Sequence, residues 1–82
     1  MSIATVYVRA ESKKALNDAL AENQHAFEAL KFDVFTGNDV FNLETLPVGT
    51  VIKVFDKMIH GIPYAKAYGT LARRKDGKVY VK

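Results

Sequence analysis

Thr50-Val51-Ile52-Lys53-Val54-Phe55-Asp56 reads as an almost continuous apolar strand, broken only by Lys53. Such a run suits a strand that is covered rather than one facing water. Downstream, Met58 to Pro63 reads as a connection and Tyr64 to Arg74 as a second strand. Asp76-Gly77 then gives a strong hairpin signal, because both residue types tolerate the positive φ of a type I′ turn. A two-residue loop there sets Lys75 against Lys78, Arg73 against Tyr80 and Leu71 against Lys82. The other face would carry Tyr64, Tyr68, Ala72, Arg74, Val79 and Val81. A slip of one residue reverses every one of these assignments.

Upstream, Ser2 to Arg9 is rich in β-branched and aromatic residues and predicts a first strand, apolar on both faces. From residue 12 to residue 31 the period changes. Leu16, Leu20, Phe27 and Leu30 recur at helical spacing with Ala15, Ala19 and Ala26 beside them, and Ser12 suits an N-cap. One long amphipathic helix is expected, its stripe weakest at Asn23. Residues 31–46 read as a short strand, a turn at Thr36-Gly37-Asn38 and a further extended piece. The expected fold is α+β: a mainly antiparallel sheet in β-α-β-β-β-β order with the helix packed on one face. All 82 residues form one domain, since the chain is too short for a second core.

From Leu46 onward, Val48-Gly49-Thr50-Val51-Ile52-Lys53-Val54 and the glycine-punctuated strands after it resemble a small SH3-like or KOW-type β-barrel, over less than half the chain. The resemblance implies contact with RNA, DNA or protein.

Charge is unevenly divided. Residues 64–82 hold Lys66, Arg73, Arg74, Lys75, Lys78 and Lys82 against the single acid Asp76, a local charge of +5. The other 63 residues carry −2, which gives the overall +3. Lysine and arginine on this hairpin suit phosphates, and Tyr80 or Tyr64 can stack on a base. Lys13 and Lys14 in the first helical turn, with Arg9, extend the candidate patch; the two lysines oppose the helix dipole, a mild cost that an acidic partner there would make understandable. Solvation of an edge hairpin explains the same residues without a ligand. The expected partner is nucleic acid or an acidic protein surface.

Met58-Ile59-His60-Gly61-Ile62-Pro63 is unusually apolar for a connection. Met58, Ile59 and Ile62 either form a protein-contacting lip or fold inward to close the sheet. The first alternative describes an interaction module, such as an inhibitor or adaptor of phage or bacterial type, or a homodimer. The small residues Ala65, Ala67 and Gly69 share one parity and invite close approach by the helix or a second subunit.

Other chemistry is poorly supported. The absence of cysteine excludes disulfides, thiolate metal sites and thiol nucleophiles. His25 between Glu22 and Glu28 reads as a solvated helix face, and general-base work by His25 or His60 would need a nucleophile and an orienting acid beside it. Asp33, Asp39, Glu44 and Asp56 lack calcium-loop spacing, and the five glycines form no phosphate-binding loop. A non-enzymatic protein without metal or cofactor is expected. No signal-like leader or apolar run of about 18 residues is present, so a cytoplasmic location is expected.

Overall fold

The computed structural model describes residues 5–22, 29–31 and 43–82. It is an α+β domain: a curled, half-barrel mixed sheet with one helix against it. The strands are β1 (Thr5–Arg9), β2 (Ala29–Lys31), β3 (Val51–Ile59), β4 (Ile62–Arg73) and β5 (Val79–Val81), in the order β2-β1-β3-β4-β5. The helix α1 spans Lys13–Ala21, and a 3-10 turn covers Leu43–Thr45 where an extended piece was expected.

The order is not purely antiparallel. β1 lies parallel to β3, with Tyr7 opposite Lys53 and Val8 opposite Val54, while the remaining pairs are antiparallel. The helical periodicity also overreached: Ala29–Lys31 is a strand paired with β1. Ala29 is fully buried, and partnership with β1 outweighs the helical spacing of an Ala-Leu pair. Asn23, His25, Phe27, Glu28 and the Asp33–Asp39 turn lie outside the described residues.

Alternation places Val6 and Val8 of β1 with Ile52 and Val54 of β3 on the concave face. Leu16 and Leu20 of α1 cover them, and Leu71, Val79 and Val81 complete the core with Leu43. Ser12 starts the helix as expected, its Oγ accepting the Ala15 N–H at 3.1 Å. On the outer face, Tyr7 meets Phe55 edge-on at 6.4 Å, and the Arg9 guanidinium lies 4.9 Å from the Phe55 ring centre. Val54 and Phe55 are both fully buried although successive strand residues face opposite sides of the sheet, and the β3–β4 register shifts after each of them. Buried Thr50 turns its hydroxyl onto the Pro47 carbonyl at 2.6 Å.

Met58–Pro63 is not a loose connection. β3 and β4 run through it, with Met58 opposite Pro63 and Ile59 opposite Ile62. The turn is the two residues His60 and Gly61, both at positive φ (53° and 77°), as a type I′ turn requires. Among the described residues no helix is long and apolar enough to cross a membrane.

Candidate anion-binding groove

The C-terminal hairpin differs from its expected register by one residue. Arg73 lies opposite Val79, Ala72 opposite Tyr80 and Leu71 opposite Val81. The loop folds on itself: Gly77 N–H donates to the Arg74 carbonyl at 3.0 Å, Arg74 N–H donates to the Lys78 carbonyl at 2.7 Å, and Gly77 takes φ +90°. This is a turn followed by a left-handed residue, which absorbs the extra position as a bulge. The slip puts Val79 and Val81 on the core side with Leu71, where burial favours them. Arg73 therefore shares a register row with Val79 rather than with Tyr80.

β5 is held from both sides. Its odd positions turn their peptide groups away from β4, and the Asn17 side chain takes both groups of Val81. The carboxamide oxygen accepts Val81 N–H at 2.8 Å, and its nitrogen donates to the Val81 carbonyl at 2.9 Å. One amide thus does at Val81 what a neighbouring strand would do. At the other end of α1, Lys78 Nζ donates to the Ala21 carbonyl at 3.2 Å, which satisfies a helix C-terminal acceptor with a cation. The Lys13 end of α1 therefore points along β5 toward Lys82.

Between α1 and the hairpin lies an open groove of about 550 Å³ lined by Asn17, Ala21, Arg73, Arg74, Lys75, Val79 and Tyr80. Arg73 is anchored, donating to the carbonyls of Gly77 at 3.0 Å and Glu44 at 3.2 Å. Asp76, the hairpin's one acid, spends an oxygen on the Lys78 N–H at 3.0 Å. Among the described residues, Arg73, Arg74, Lys75, Lys78 and Lys82 meet no carboxylate.

Other candidate residues are placed differently. Lys14 pairs with Asp18 at 3.1 Å within the helix, and Lys66 pairs with Asp56 at 2.7 Å on the β3–β4 hairpin. The Lys66 hydrogen bond, with the Lys66 and Lys57 charges, holds the Asp56 carboxyl below its ordinary pKa. Tyr64 lies on that hairpin with Lys57 Nζ 5.9 Å from its ring centre, and it does not line the groove. Ile59 and Ile62 are 46% and 57% exposed, so the lip faces outward, while Met58 is half-buried and Pro63 buried. His60 occupies the exposed turn. Among the described residues no three of His, Asp and Glu converge on a metal-sized site.

Sequence reasoning missed Asn17 and Ala21. An asparagine inside a helix beside apolar neighbours is the one available signal, since a half-buried amide needs partners. No protein-family model matches this chain, and no curated protein or solved structure is significantly similar to it.

Proposed function

We propose that this chain is a non-enzymatic nucleic-acid-binding protein whose ligand lies across the α1–hairpin groove. The carrying observation is the set of five cations from Arg73 to Lys82 without a carboxylate partner among the described residues, three of which, Arg73, Arg74 and Lys75, line a groove with Tyr80. Surface cations are ordinarily dispersed among acids, and an uncompensated cluster attracts polyanions. The division of labour is set by anchoring. Arg73 and Lys78 are held by backbone carbonyls, whereas Arg74, Lys75 and Lys82 are exposed, which suits them to phosphates. Tyr80, half-buried, offers a ring for stacking. The SH3-like patterning of the C-terminal part supports a binding role, and a cytoplasmic setting suits such a ligand.

The test is fluorescence anisotropy with a labelled oligonucleotide over a salt series. Arg74→Glu, Lys75→Glu and Lys82→Glu together should abolish binding at moderate salt and leave the fold intact. Each single neutralisation should lower the salt slope by about 0.7–0.9 for every phosphate it ceases to neutralise. Unchanged affinity in the triple variant refutes the reading.

A protein-interaction role rests on a separate observation, the exposure of Ile59 and Ile62 at the β3–β4 turn. It expects a partner retained through nuclease and salt, and released by a folded Ile59→Asp, Ile62→Asp double variant. A partner retained by that variant removes the lip as its site.

A further inference from the structure

The outer edge of β5 carries two outward pairs of peptide groups, at Val79 and at Val81. Arg74 N–H donates to the Lys78 carbonyl, and Lys82 N–H donates to the Thr70 carbonyl. These bonds bracket the register rows Arg73–Val79 and Leu71–Val81. Both valines therefore occupy non-bonded rows of the antiparallel ladder and turn N–H and carbonyl away from β4. Asn17 takes both groups of Val81. Val79 is 3% exposed and lines the α1–hairpin groove. Among the described residues neither of its peptide groups has a partner. Buried peptide groups are almost always paired, so this pair at the wall of a groove marks a place for a ligand.

We propose, resting on the nucleic-acid reading above, that the Watson–Crick edge of an unpaired base docks on the Val79 N–H and carbonyl, which makes single-stranded nucleic acid the ligand. The Val79 edge presents one donor and one acceptor side by side. A carboxylate or phosphate offers acceptors only and would set an oxygen against the Val79 carbonyl. Each base carries an adjacent donor and acceptor on its Watson–Crick edge, and in a duplex that edge is engaged by the complementary strand. The neighbouring row already holds such a fit, since the planar Asn17 carboxamide sets a donor and an acceptor against the same pair on Val81. An added peptide strand needs several successive rungs. Here Asn17 closes the edge at Val81 and Lys78 belongs to the turn, which leaves a single rung. Arg74 and Lys75 line the same groove and can take the flanking phosphates.

The experiment is fluorescence anisotropy on the full chain with labelled oligouridylate in three forms: single-stranded, annealed to oligoadenylate, and single-stranded with every base N3-methylated. The methyl group removes the Watson–Crick donor and leaves every phosphate in place. The unmodified single strand should bind about tenfold or more tighter than either other form. Amide exchange read by NMR locates the contact. In the free chain Val79 N–H should exchange faster than Val81 N–H, which Asn17 covers, and the unmodified strand should slow Val79 where the methylated strand does not. Equal affinity for the three forms, or Val79 exchange unchanged by the unmodified strand, would overturn the base docking; if Arg74→Glu, Lys75→Glu, Lys82→Glu still abolished binding, the nucleic-acid reading would survive that result. A chain that binds none of the three forms, or a triple variant that binds them like wild type, removes both. Val79 slowed by an oligoglutamate peptide and not by oligouridylate would assign the groove to an acidic protein segment and overturn the proposal.

Discussion

Replacing Asn17 with alanine isolates the contact that joins the helix to the last strand. The carboxamide makes two hydrogen bonds of 2.8 and 2.9 Å to the Val81 peptide groups, and Val81 is 2% exposed. A buried peptide group left without a partner costs about 1–3 kcal/mol. Asn17 is itself half-buried, so water can partly replace it and the lower half of that range applies to each group. The helix gains roughly 0.5 kcal/mol from the better propensity of alanine. The net destabilisation is then about 2 kcal/mol, out of a total near 4–12 kcal/mol expected for 82 residues. That corresponds to a melting temperature lower by roughly 8–16 °C. Urea unfolding followed by circular dichroism measures the change, and amide exchange at Val81 should accelerate beyond that of the β1 and β3 core. Asp18→Ala is the control. It removes only an exposed pair within the helix and should change stability by less than about 0.5 kcal/mol. If Asn17→Ala were equally mild, with Val81 exchange unaltered, the amide would not be acting as a surrogate strand.

Gly69→Ala should destabilise by about 1–3 kcal/mol, because the new Cβ would run into the Lys82 carbonyl oxygen and sit 2.7 Å from Val81 Cγ1; proteolysis or exchange should show β5 detaching first. His60→Asn should stabilise the chain by a few tenths of a kcal/mol in urea titration, since asparagine tolerates the φ of +53° better; a destabilised variant would assign His60 an unrecognised contact. Asp56 should titrate below an ordinary aspartate by carbon-detected NMR, and Lys66→Ala should move it back up. Because the folded pKa is the lowered one, that pair stabilises the chain above the unfolded aspartate pKa, and the contribution disappears as pH falls through the folded value.

Much of this molecule was legible locally. Ser12 announced the helix start because its side chain satisfies an N–H only a turn away, and the Val-Ile-Val run of β3 could not be left facing water. The +5 charge of residues 64–82 is a property of composition, so its presence on the hairpin followed directly. The identity of the turns was less secure. Asp76-Gly77 signalled a hairpin correctly, but the loop length depended on which face had to bury Val79 and Val81. His60-Gly61 gave no clear turn signal because histidine rarely adopts positive φ, and strand pairing on both sides holds it there.

Sequence alone therefore determined the α+β class, the buried central strand and the location of the basic charge, since each depends on residue type and short-range spacing. Tertiary structure decided the parallel β1–β3 pair, the conversion of Ala29–Lys31 from helix to strand, and which cations stay without a carboxylate among the described residues. It also decided that the Asn17 side chain would take both peptide groups of Val81 in β5. These outcomes depend on peptide groups brought together across 64 residues of chain, as Asn17 and Val81 are, and no local pattern encodes which edge will find a partner.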